Sequence, residues 1–208
     1  MRFVFIVLLS FWPIVSQACE KTEKIYGDKA LANAQDFDHV LFNKVLLQEV
    51  NYSRCLHGAK SLSYDRKLES MAQKHSLWMS ESGVFSHESS KPGFETLSDR
   101  ALKEKIRGLM VTENLAKVSW YMLDVVGRFE IVDEKRCMFR TLSGESIGRH
   151  TYRSLARYSV HSWLGSPGHR ENLLDPELDE HGVGVVFDLS EKYCGQVYIT
   201  QNFLRNLN

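Results

Sequence analysis

Eight histidines, four cysteines and one serine motif are the side chains of this sequence with the reactivity to do chemistry. The serine motif is Gly144-Glu145-Ser146-Ile147-Gly148, the G-x-S-x-G spacing of a nucleophile elbow, and Asp175 and His181 follow it in a workable triad order. Such an elbow needs a strand before it and a helix after it within an alternating α/β sheet. No alternating series precedes Ser146, so the match reads as chance. Neither an H-E-x-x-H pair nor a P-loop occurs. Histidine remains, as the side chain that changes charge near neutrality. Two neutral imidazoles and one carboxylate are a competent ligand set for zinc or a similar divalent ion, with one position left for water. Without metal, the same trio can move protons. Most histidines simply hydrogen-bond to ordinary partners, and His57, His75, His150, His161 and His181 are read that way. His75 sits on the apolar face of a helix and reads as a core residue.

The cysteines, Cys19, Cys55, Cys137 and Cys194, are widely spaced and contain no C-x-x-C, which excludes zinc-ribbon and thioredoxin-like sites. The start of the chain explains them. Arg2 is followed by an apolar run from Phe3 to Val15 and then by Ser16-Gln17-Ala18, which reads as a signal peptide over residues 1–18. The run is shorter than the about 20 apolar residues of a membrane span, and no other segment qualifies as one. Export follows, either as a secreted protein or to the periplasm and cell envelope, where thiols pair. Three connectivities are open. The expected one joins Cys19 to Cys55, because a loose N-terminal arm can reach the first helix, and Cys137 to Cys194. Cleavage after Ala18 also leaves Cys19 where a bacterial lipid anchor attaches, although Ser16 and Gln17 suit that signal poorly. Asn51-Tyr52-Ser53 has glycosylation spacing but lies inside a helix.

The 208 residues carry 26 Lys+Arg against 26 Asp+Glu, with 43% hydrophobic residues. A balanced, globular composition excludes a disordered chain and a strongly basic nucleic-acid binder. A polar arm spans 19–37, and a single domain spans 38–208. Leu41, Val45, Leu46 and Val50 give a first helix stopped at Gly58, and Leu68, Met71, Ala72, His75 and Met79 a second, from the Asp65 cap to Gly83. A third runs from Tyr152 to Leu164. Val183, Val185 and Phe187, then Val197, Ile199 and Phe203, alternate as two strands joined around 190–195. The stretch at about 119–150 reads as an insertion, with a charged turn at 133–136 and a hairpin pinned by Cys137. Helices first and a hairpin last indicate an α+β layer fold.

Local patterns then arrive in a set order: Asn51-Tyr52-Ser53-Arg54, Leu62-Ser63-Tyr64-Asp65, Phe85-Ser86-His87 and Glu113-Asn114-Leu115-Ala116. The most specific follows, Trp163-Leu164-Gly165-Ser166-Pro167-Gly168-His169-Arg170-Glu171-Asn172-Leu173-Leu174, leading into Gly182-Val183-Gly184-Val185 and Tyr198 to Phe203. This series resembles the CAP superfamily, or SCP domain (cysteine-rich secretory, antigen 5 and pathogenesis-related proteins), and most closely its bacterial branch. The resemblance implies a three-layer α–β–α sandwich with a small antiparallel sheet and a cleft. In that cleft His87, Glu113 and His169 match the family's two histidines and glutamate, for a small ligand or a divalent metal such as zinc. Thr112 stands where the family usually has Gly, and Ser166 where many eukaryotic members have a further acid; Glu171 could stand in for the latter. Ser166 and Pro167 also suit the cap and first turn of a short helix.

The expectation is a binding module, for an unidentified small ligand, which could be a lipid, or for a component of the envelope. The alternative is a secreted hydrolase or peptidase using the His/Glu cleft, although the sequence offers no clear nucleophile. A third reading is a purely structural, disulfide-stapled domain.

Overall fold

The computed structural model describes Cys19, residues 27–31 and residues 33–207. The signal peptide expected over 1–18 lies outside the described residues. Each main helix begins at a side-chain cap. Asp38 accepts the Leu41 N–H at the start of α1 (His39–Leu56), and Asp65 accepts the Leu68 N–H at the start of α2 (Arg66–Ser82), which ends at left-handed Gly83. Thr96 and Asp99 cap each other's backbone at α3 (Leu97–Lys103). Thr151 and Ser154 do the same at α5 (Tyr152–Gly165). Pro167 opens α6 (Pro167–Leu174), but the Ser166 side chain makes no cap bond, because Ser166 also closes α5. Asn51 spends both ends of its amide on Leu62, which occupies the group a glycan would need.

Four strands form the main sheet in the order β1-β5-β6-β2: β1 (Ser63–Tyr64), β2 (Met110–Ser119), β5 (Glu180–Asp188) and β6 (Gln196–Arg205). It is antiparallel except that β1 runs parallel to β5. The small antiparallel sheet of the sequence reading is thus a mixed one. The Asp65 cap ends β1 after two residues, so its apolar pattern is too short to read.

Alternation along the strands makes the layers. Val183, Val185, Val197, Ile199 and Phe203 face one way, into a core with Phe42, Val45 and Leu46 of α1 and Leu155, Ala156 and Trp163 of α5. Tyr198 and Leu204 face the other way, against Met79, Leu68 and Met71 of α2. Gly182 and Gly184 lie on the α2 side, where a Cβ would stand 2.1 Å from the backbone nitrogens of Glu69 and Gln73. The Gly-Val-Gly-Val pattern therefore lets α2 rest on bare strand backbone while the valines fill the opposite core.

Helix side chains also complete the outer strands. The Asn43 amide of α1 exchanges two hydrogen bonds with Val183, at 3.1 Å each, and the Gln73 amide of α2 exchanges two with Val185, at 2.8 and 3.0 Å. Along β2, Trp163 Nε1 donates to the Leu115 carbonyl at 2.9 Å, and Asn172 donates to that of Glu113 at 3.1 Å.

In the stretch 119–150, a short α4 (Leu123–Val126) precedes the hairpin of β3 (Phe129–Asp133) and β4 (Met138–Thr141). Cys137 bonds to Cys194 in the β5–β6 connection, and Cys19 bonds to Cys55 in α1. The sulfur that a lipid anchor on Cys19 requires is thus engaged in a disulfide. Ser146 sits in a bridge to Arg140 that extends the hairpin, and the next helix, α5, starts only at Tyr152, so no strand-to-helix elbow is built on Ser146, which removes the nucleophile-elbow reading. No helix among the described residues is long and apolar enough to cross a membrane.

Candidate functional site

The site is built over β2, an outer strand of the sheet. Glu113 lies opposite Asn202 of β6 and shares its face, so its side chain points under the α2 layer. The neighbouring Asn114 is fully buried and donates to the His169 carbonyl at 3.1 Å, while Asn172 bridges Asn114 Oδ1 and the Glu113 carbonyl. These bonds tie the first turn of α6, and His169 with it, to the same strand. From the other side, the loop after α2 carries His87 over the strand.

The structure brings the three expected residues together in part. His87 Nδ1 is 2.9 Å from Glu113 Oε1, and the His87 and His169 rings are 6.3 Å apart between centroids. The His87 side chain is 54% exposed and that of Glu113 is 2% exposed. Burial and the neighbouring His87 lower the proton affinity of His169, which favours its neutral form at neutral pH. Glu171 lies exposed on α6.

Three further residues surround Glu113. Arg100 of α3 donates to both carboxylate oxygens at 2.9 Å, and its other terminal nitrogen donates to the His87 carbonyl at 3.0 Å. With its amide oriented to accept from Ala72 N–H, Asn202 donates to Glu113 Oε2 at 3.0 Å. His75 Nε2 lies 2.9 Å from the Ser86 carbonyl and 3.9 Å from Glu113 Oε1, its ring stacked on Trp78. Burial lowers its proton affinity first of all. His75 is thus the core residue the sequence suggested, and it also props the loop that carries His87. The Thr96-x-x-Asp99 capping pattern was a readable sign of α3. The partner of Arg100 was not, because the pairing depends on how α3 docks.

A divalent metal does not fit this arrangement. Both Glu113 oxygens already accept from a guanidinium cation, and a second cation there would be repelled. Two imidazoles remain, short of the three protein ligands typical of an open zinc site. Among the described residues, no group of three or more His, Cys, Asp or Glu side chains is placed to hold a metal ion. An apolar groove of about 180 Å³ runs beside Val40, Leu47 and Tyr64. None of His87, Glu113 and His169 lines it.

Residues 47–203 match the cysteine-rich secretory protein family, CAP, and the chain belongs to that family. Its sequence is 27% identical over 162 residues to the uncharacterized membrane protein YlbC of Bacillus subtilis (strain 168), covering 78% of this chain and 34% of that protein. This chain therefore spans about a third of that relative. Among solved structures, an extracellular protein containing an SCP domain from Bacillus anthracis aligns at 26% identity with a TM-score of 0.52, covering 79% of this chain and 40% of the other. An outer surface protein of Borrelia burgdorferi aligns at 18% identity with a TM-score of 0.53, covering 82% and 97%; that likeness concerns the fold.

Proposed function

We propose that this CAP domain works outside the cytoplasm as a binding module whose cleft takes a small polar ligand between the imidazoles of His87 and His169. The observation that carries the reading is the use of Glu113. Its carboxylate is buried, bonded by Arg100 and engaged with Nδ1 of His87, so it orients a ring that is itself exposed and keeps Nε2 out of that bond. A neutral imidazole offers one donor or one acceptor at each nitrogen, which suits the alternating N–H and C=O groups of a peptide. Export is supported by the two disulfides, which suit an oxidising compartment, and by the likeness to an extracellular Bacillus anthracis protein.

A second reading draws on the same pair. A histidine oriented by a buried carboxylate is the base half of a hydrolase, with water as its nucleophile. One experiment separates the two. The protein is titrated with a library of short peptides while the Cε1–H resonances of His87 and His169 are followed and the peptides are weighed by mass spectrometry. The binding reading expects saturable movement of both resonances, intact peptides, and loss of the response in His87→Ala and His169→Ala. Cleavage abolished by both substitutions would establish the hydrolase. Resonances that stay still throughout would overturn the binding cleft.

A further inference from the structure

The insertion folds against the strand ends and borders an open pocket, of about 270 Å³, between the end of β2, α4 and the β5–β6 connection. None of His87, Glu113 or His169 lines it. Ser119 does; it is 2% exposed, and its hydroxyl has no hydrogen-bond partner among the described residues, a state that buried polar groups seldom keep. Phe129 and Tyr193 contribute aromatic rings, packed edge to face at 5.4 Å. Tyr193 is held in the left-handed region at φ 58°, as are the next residue, Cys194, at 65° and its disulfide partner Cys137 at 56°. Non-glycine residues persist there only where their surroundings over-determine them.

The charges of the pocket nearly cancel. Lys117 is paired with Glu191 at 2.6 Å. Lys192, exposed over the Tyr193 ring, is offset by Asp124, which accepts the Ser119 N–H at 2.5 Å. Donors, acceptors and ring faces thus meet without a dominant charge. A ligand that matches has many hydroxyls, an apolar C–H face and no net charge. We propose that this pocket is a saccharide site, in which one neutral pyranose ring lies against Tyr193 and Phe129 while its hydroxyls bond to Ser119, Gln196, Asp124 and the Lys192 ammonium. Its volume lies just below the range of drug-sized pockets, which matches a single ring rather than a long chain. The electron-rich faces of the aromatic rings favour the C–H side of a sugar.

Amide ¹H–¹⁵N spectra of the protein, titrated into the millimolar range with N,N′-diacetylchitobiose, with cellobiose and separately with inorganic phosphate, test this. The expected result is saturable shifts with at least one disaccharide, centred on the amides of Ser119, Tyr193 and Gln196. The affinity should fall at least about tenfold in Lys192→Ala and in Tyr193→Ala, and stay unchanged in His87→Ala. Lys192 is exposed, so its variant folds even if Tyr193→Ala does not. Silence with both disaccharides, shifts with phosphate alone, or loss of the response in His87→Ala would each overturn the proposal.

Discussion

Arg100 grips both carboxylate oxygens of Glu113 at 2.9 Å, with each side chain at most 3% exposed. A pair so far from water gains little over two apolar groups, but losing one member strands the other as a buried charge. Arg100→Met is expected to destabilise the fold by about 3–5 kcal/mol, read as a lower urea midpoint at constant slope. A loss below about 1 kcal/mol, the scale of an exposed pair, would mean that Glu113 finds another partner or takes up a proton.

The same grip sets the response to metal. Calorimetric titration with zinc is expected to give no saturable heat in the micromolar range. A stoichiometric site that disappears in His169→Ala would show that zinc displaces the guanidinium, and would restore the three-ligand set.

Gly184 gives the sharpest packing test. An added Cβ would meet the Gln73 backbone nitrogen at 2.1 Å, which no rotamer change can relieve. Gly184→Ala should cost about 3 kcal/mol in denaturant unfolding. Gly165→Ala, where nothing lies within 4 Å, should cost far less.

Acid should weaken the fold through two histidines. Burial pushes His150 down to about 4 and His181 down to about 3, the latter helped by the Arg54 cation. The unfolded chain protonates both near 6.5, so below that pH it binds more protons than the folded one. Stability is therefore full above pH 6.5 and lost as pH falls toward 4, at about 1.4 kcal/mol per pH unit for each histidine. Urea midpoints at pH 7.5 and pH 5 check this, and His150→Gln should remove part of the slope.

The Cys137–Cys194 bond closes a loop with a sequence separation of 57 residues. Chain entropy assigns such a crosslink about 4 kcal/mol. The double Cys→Ser variant should lose stability of that order in thermal unfolding, and hydrogen exchange should quicken first at β3 and β4.

The helices that carry their own caps and apolar stripes were legible from residues alone, because Asp65 and Gly83 act within a turn of their neighbours. The alternating β5 and β6 were legible for the same reason. β2 was recognised only as a motif around Glu113, since its register against β6 is set by residues some ninety positions away. The meeting of His87, Glu113 and His169 was legible as a list of residues and not as an electrostatic state. Arg100, Asn202 and His75 decide that state, and each reaches Glu113 from a different element.

The amides of Asn43 and Gln73 on one side of the sheet, and Trp163 and Asn172 on the other, bond to backbone groups that an incoming strand would need. Unprotected sheet margins invite edge-to-edge aggregation and capture of extended peptides by strand addition. Here both margins are blocked at Val183, Val185, Glu113 and Leu115. Partners must therefore be recognised through side chains and loops at these positions, and the sheet is guarded there against growing into fibres.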